Sequence, residues 1–184
     1  MRVIAGTYKG QRLVAPKRGS TRPTADRVRE ALFSMLGSVQ GDGVLDLYAG
    51  SGALAIEALS RGASEATLVD SDVAAARAIR QNLDRLGIEE ARVVRAGVTP
   101  FLKNAAQRRG RWDLVFCDPP YRLARRLQGD LERLLPAIVA PKGRIVCESS
   151  ARQPLHLGFP LVTERHYGDT LICIYRCSTT ARDA

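Results

Sequence analysis

An α/β fold built on a mostly parallel sheet is predicted by three observations. From residue 43 to about residue 140, short apolar runs alternate with longer stretches of helical period. A glycine-rich turn, AGSG, joins the first run to the first helical stretch. The last two apolar runs have no helix between them. Strands that alternate with helices pair in parallel, with helices on both faces. The helix-free end implies a closing antiparallel pair.

The elements follow in order. RVIAG and RLVAP flank a turn containing glycine, which predicts a basic β-hairpin or extended arm. KRGSTRP is a linker by composition. TADRVREALFSML places Val28, Ala31, Leu32, Met35 and Leu36 on one helical face, with Thr24 as its N-cap. GVLDLY is the first core strand, and ALAIEALSRG a helix ending at Gly62. EATLVD is the second strand. A helix over 71–87 follows, capped by Ser71 or Asp72 and stopped by Gly87. ARVVRA is the third strand, and TPFLKNAAQRR a helix with Thr99 as cap and Pro100 in its first turn. WDLVFCD is the fourth strand, an amphipathic stretch runs to about Ala140, and GRIVCESS is the fifth. PLVTERHYG and DTLICIYRC form the closing pair.

Composition narrows the function classes. The 184 residues suit one domain, and no apolar run approaches the ~18–20 residues of a membrane span. The first residues lack the apolar core of a signal peptide, so a cytoplasmic protein is expected. The four cysteines include no C-x-x-C pair, and His156 and His166 are the only histidines, so neither a metal site nor a disulfide is expected. The net charge is +9, and residues 1–36 carry eight Lys/Arg against Asp26 and Glu30. A basic end of this kind attracts polyanions, of which nucleic acid is the commonest.

Two stretches carry chemistry. In VLDLYAGSGALA, Gly50 and Gly52 let the backbone approach a ligand, and the helix that follows offers free N–H groups. Asp70 ends the next strand, where a carboxylate can accept both hydroxyls of a ribose. Asp46 stands just before the turn. It would repel a pyrophosphate but welcome an ammonium or sulfonium, which disfavours a nicotinamide-dependent oxidoreductase and favours S-adenosylmethionine. The second stretch is DPPY. Paired prolines force the chain stiffly out of the fourth strand, leaving Asp118 and the Pro119 carbonyl as acceptors and Tyr121 as a stacking face. Two acceptors and an aromatic suit the exocyclic amine of a nucleobase.

DLYAGSG, the VD at the second strand end and DPPY, in this order, resemble a class I S-adenosylmethionine-dependent methyltransferase acting on an exocyclic amine. RVIAGTYKGQRL followed by TRPTADRVREALFSML resembles the bacterial 16S ribosomal RNA (guanine-N2)-methyltransferases of the RsmD type. This resemblance spans essentially the whole chain. It implies a Rossmann-like seven-stranded sheet, mostly parallel with an antiparallel last strand, plus a small N-terminal β-hairpin. It also implies a basic arm over residues 1–20 and a methyltransferase domain over 21–184. The implied substrate is a guanine 2-amino group in 16S rRNA of the small ribosomal subunit. A monomer is expected.

By the same resemblance Asp118, Pro119, Pro120 and Tyr121 form the acceptor site. Thr24, Arg27, Asp46, Ala49, Gly50, Ser51, Gly52, Asp70, Ser71, Gly97 and Val98 hold the cofactor. Gly97 stands where such enzymes usually carry Asp or Asn, which leaves adenine recognition to backbone groups around Gly97 and Val98 or to the neighbourhood of Asp118. Arg2, Tyr8, Lys9, Arg12, Lys17, Arg18, Arg122, Arg125 and Arg126 are the expected RNA contacts. Two other readings use the same motifs: an amino-methyltransferase acting on DNA adenine or another RNA, and an RNA-binding protein with a relic cofactor site. A chain of 184 residues leaves little room for a DNA-reading domain, and the intact acids disfavour a relic.

Overall fold

The computed structural model of the protein describes residues 1–16, 26–120 and 124–177, and side chains of 124–126 are outside the description. Lys17, Arg18, Thr24, Tyr121 and Arg122 therefore lie outside the described residues, as do the side chains of Arg125 and Arg126. The described strands form a seven-stranded mixed sheet, mostly parallel, and none of the described helices is long and apolar enough to cross a membrane.

The chain divides into two compact units, Met1–Val98 and Thr99–Ala184. The first contains α1 (Asp26–Leu36), β1 (Gly43–Leu47), α2 (Ala53–Ser60), β2 (Glu65–Asp70), α3 (Val73–Leu86) and β3 (Ala91–Arg95). β1 pairs in parallel with β2, and β2 with β3. All five residues of β1, Asp46 included, are buried, as expected of a parallel strand covered on both faces. α3 buries Ala75, Ala76, Ala78, Ile79, Asn82 and Leu83. Asp72 caps it by accepting from the Ala74 N–H, and Gly87 ends it in a left-handed conformation (φ 65°).

The second unit begins within α4 (Val98–Gln107) and continues through β4 (Trp112–Cys117), α5 (Ala124–Leu134), a 3-10 turn at Leu135–Ala137, β5 (Val139–Ser150), β6 (Leu161–Tyr167) and β7 (Thr170–Arg176). β4 and β5 are parallel, while β7 pairs antiparallel with both β5 and β6. The expected helix-free closing pair is thus present.

In the arm, Arg2 and Arg12 form an antiparallel bridge, flanked by backbone bonds from the Val3 N–H to Gln11, the Gly10 N–H to Val3 and the Leu13 N–H to Met1. Much of the arm's remaining hydrogen bonding goes to α2 and α3, as described below. Two expectations are corrected. Thr99 does not cap α4, which starts one residue earlier; its hydroxyl donates to Asp130 Oδ2 at 3.0 Å. β5 begins at Val139, four residues before the expected GRIVCESS, because an irregularity in its pairing between Trp112 and Leu114 absorbs the PKG segment.

Candidate functional site

In the first unit the site is assembled at the carboxyl ends of β1, β2 and β3. Asp46 is the penultimate residue of β1 and is 2% exposed. Its Oδ2 accepts from the Ala55 N–H of α2 at 3.2 Å. Burial pushes its carboxyl up to about 7; the Ala55 bond opposes this, and nearby Asp70 adds to it. A buried carboxylate poised near neutrality gains from any cation placed beside it.

The turn after β1 depends on left-handed backbone. Tyr48, Gly50 and Gly52 have φ of 64°, 57° and 78°. At Gly52 a Cβ would lie 2.9 Å from Leu68 Cδ2, so glycine is required both by conformation and by the close packing of α2 on β2. At Gly50 a Cβ would meet only the Tyr48 carbonyl, at 3.9 Å, which leaves its exposed side open to a ligand.

Asp70 holds this turn in place. Its Oδ2 accepts from the Gly50 N–H at 2.9 Å and its Oδ1 from the Asp72 N–H at 2.8 Å. Each carboxylate oxygen retains a second lone pair, so both can still accept ribose hydroxyls. The Ala96 N–H donates to the Asp70 carbonyl, which sets Gly97 and Val98 beside the β2 end at the start of α4. The structure therefore gathers Asp46, Ala49, Gly50, Ser51, Gly52, Asp70, Ser71, Gly97 and Val98 at one group of strand ends. Arg27 is exposed on α1.

Three polar side chains essential to this half had no assigned role in the sequence reading: Asn82, Glu57 and Ser60. Asn82, 1% exposed, donates to the Ser51 carbonyl and to the Val14 carbonyl, and accepts from the Val14 N–H. One buried amide thus ties the glycine turn to the N-terminal arm. Glu57 is fully buried and accepts from the Ile4 and Ala5 N–H groups and from Arg61 Nε. Ser60 receives the Tyr8 N–H on its hydroxyl and the Thr7 N–H on its carbonyl. Arg29, also fully buried, donates to the Arg2 carbonyl and to Asp26. Desolvation lowers its pKa from the ordinary arginine value, against the opposing charges of Asp26 and Glu57. The available signal was a lone polar residue inside an apolar helix face: Asn82 between Ile79 and Leu83, and Glu57 in ALAIEALS. Of the arm's basic residues, Lys9 and Arg12 are exposed, while Arg2 pairs with Asp26 at 3.5 Å. Tyr8 is half-buried.

In the second unit, DPPY follows β4 directly. Leu114, Val115, Phe116 and Cys117 are at most 1% exposed, so the strand that carries Asp118 is rigidly embedded. Asp118 is half-buried, Pro119 buried and Pro120 exposed. Cys117 faces Cys147 of β5 in register, and hydrogen bonding to Cys117 and burial hold the Cys147 thiol well above the usual range. The four cysteines are free and buried. Cys117 and Cys147 pack as small hydrophobes inside the sheet.

Comparison with known proteins adds independent findings. Residues 1–176 match the family described as conserved hypothetical protein 95. The Bacillus subtilis protein YlbH, provisionally named an rRNA methyltransferase, is 38% identical over 96% of this chain and 98% of its own. Ribosomal RNA small subunit methyltransferase D of Escherichia coli K12 is 45% identical over 66% of this chain; the match spans 61% of that relative. Among solved structures, the E. coli protein yhhF, provisionally named a methyltransferase, is similar with a TM-score of 0.82 and 34% identity, over 97% of this chain and 98% of its own.

Proposed function

The chain belongs to the conserved hypothetical protein 95 family, together with the small-subunit ribosomal RNA methyltransferases D, and from that premise we propose that it methylates the 2-amino group of a guanine in 16S rRNA. The methyl donor is S-adenosylmethionine, the cofactor of structural neighbours of this fold. The observation that carries the proposal is the rigid placement of Asp118 and Pro119 at the end of a buried strand, in a chain whose glycine turn and strand-end acids suit that donor. The protein works in the cytoplasm on the small ribosomal subunit.

Each residue has a defined task. When bound, S-adenosylmethionine supplies an electrophilic methyl group on a sulfonium. Asp46 would face the cationic amino acid end of the donor, and Asp70 would take the ribose hydroxyls. The Gly97 and Val98 backbone would receive the adenine. Asp118 and the Pro119 carbonyl accept the two N–H bonds of the guanine amine, and Tyr121 stacks on the base. The amine lone pair is delocalised into the ring. Acceptors on both N–H bonds favour a pyramidal, more nucleophilic nitrogen and stabilise the positive charge that develops on it. Once the amine has taken the methyl group, its extra proton would leave to water, so Asp118 acts as an acceptor and not as a required base. Alignment of nitrogen, carbon and sulfur supplies much of the acceleration.

The arm, residues 1–20, forms the RNA-contacting segment, and residues 21–184 the methyltransferase domain. Exposed Lys9 and Arg12 contact phosphates, and Tyr8 adds a ring for stacking.

The test is incorporation of labelled methyl from S-adenosylmethionine into small subunits that lack the modification. Wild-type protein labels the 16S rRNA. Asp118→Asn keeps its affinity for the methyl donor in calorimetry but loses about 10²–10³ in turnover, as expected when a transition-state acceptor is weakened. Equal turnover in the variant, or label on DNA and none on 16S rRNA, contradicts the proposal.

A further inference from the structure

The sequence spacing of histidines and cysteines implies no metal centre, yet the fold brings three potential ligands together in the second unit. His156 precedes β6, Glu164 lies on β6 and Cys173 on β7. His156 Nε2 is 3.1 Å from Glu164 Oε2, and Cys173 Sγ is 3.6 Å from the same oxygen. The three donor atoms all lie within 4.8 Å of one another. Donors around a tetrahedral zinc ion, at roughly 2.0–2.3 Å from the metal, are separated by about 3.3–3.8 Å. Only small side-chain adjustments separate the present arrangement from that geometry.

The backbone holds these groups in position. Glu164 and Cys173 are register partners on neighbouring strands, so their side chains share a face. On either side of His156, the Leu155 N–H donates to Ser149 Oγ at 3.1 Å and the Leu157 N–H to the Tyr175 hydroxyl at 3.2 Å. The next residue, Gly158, donates its N–H to Glu132 at 3.0 Å. A loop segment tied at three points presents the imidazole with little freedom to lose on binding. His166 Nε2 lies 3.6 Å from the other Glu164 oxygen, so the chain's two histidines flank a single carboxylate. His166 can orient that carboxylate from behind, as hydrogen-bonded groups orient metal ligands.

We propose that His156, Glu164 and Cys173 bind a divalent cation of the zinc class, with the remaining position filled by water. A set of one imidazole, one carboxylate and one thiolate selects a borderline-soft ion over magnesium or calcium. On binding, the Cys173 S–H bond breaks, the sulfur bonds the metal and the proton passes to solvent. The ion staples the 155–158 segment to the β6–β7 edge of the sheet. The inference is independent of the methyl-transfer reading.

Cobalt(II) serves as the probe, because a thiolate ligand gives it a charge-transfer absorption that oxygen and nitrogen ligands do not. The chelator-treated, reduced full chain is titrated anaerobically with cobalt(II), then with zinc(II). The expected result is a thiolate-to-cobalt band saturating at one equivalent, displaced by zinc, with an upward shift in melting temperature on zinc addition. Cys173→Ser abolishes the band, and Glu164→Gln weakens cobalt affinity at least tenfold. His156 is 55% exposed, so His156→Ala leaves the fold intact and also weakens affinity at least tenfold, which decides the matter if the cysteine variant does not fold. Absence of the band at stoichiometric cobalt overturns the proposal. So does its persistence in Cys173→Ser, or an unchanged affinity in His156→Ala.

Discussion

Asp46 shows how one residue's burial becomes a measurable property. Its carboxyl is raised from 3.8 to about 7, first by desolvation and, in part, by Asp70. A group whose folded pKa lies above its unfolded value favours folding fully below the unfolded pKa. That contribution is lost as pH rises from about 4 through about 7. Asp46→Asn therefore removes a pH-dependent component on the order of 2–4 kcal/mol from the apo protein. Denaturant melts of both proteins at several pH values should show the wild type losing stability relative to the variant between about pH 4 and about pH 7. Parallel curves would contradict this. A cationic ligand beside Asp46 reverses the preference, so donor affinity in the wild type rises with pH through the same window. The strand-end acids and glycines were readable in the sequence because a turn between a buried strand and a helix permits few residue types. The electrostatic state of Asp46 was not, since it depends on Ala55 and Asp70 being folded around it.

Among elements, the N-terminal arm is held by partners that no local pattern shows. RVIAG and RLVAP alternate as strands do, and the structure joins them through the Arg2–Arg12 bridge and its flanking backbone bonds. The arm's polar partners, Glu57, Ser60 and Asn82, lie 52 to 68 residues away in sequence, beyond the reach of any local pattern. The strands of the sheet were readable because each needs only its own apolar run. Asn82→Ala removes three hydrogen bonds and leaves the Ser51 and Val14 carbonyls without that donor. It should destabilise the protein by about 2–4 kcal/mol in chemical denaturation, with faster exchange of the Val14 amide. A loss below about 0.5 kcal/mol would show that the arm does not depend on Asn82. For the same reason, deleting the arm would strip partners from buried Glu57 and is no clean test of RNA contact. Charge removal is cleaner. Lys9→Ala with Arg12→Ala touches exposed side chains only, so melting should be unchanged. Affinity for ribosomal RNA should fall, and the slope of log affinity against log salt should shrink by about two. An unchanged slope would place the RNA elsewhere.

For the whole molecule, the charge distribution, the topology and the family agree on one class of reaction. A net charge of +9 favours a polyanionic partner, the mostly parallel sheet ends in acids suited to a cationic donor, and the DPPY strand end suits an aromatic amine. Sequence motifs were sufficient for the family, because DLYAGSG and DPPY stand where a buried strand gives way to a turn and few residue types are permitted. They did not reveal the His156, Glu164 and Cys173 group, which exists only once β6 and β7 pair. The central claim is the identity of the methylated atom. It is tested by reacting the protein with S-adenosylmethionine and unmodified small subunits, digesting the 16S rRNA and identifying the new nucleoside by mass spectrometry. The account predicts N2-methylguanosine at a single position. Methylation of an adenine amine, of a ring carbon or of DNA alone would contradict it.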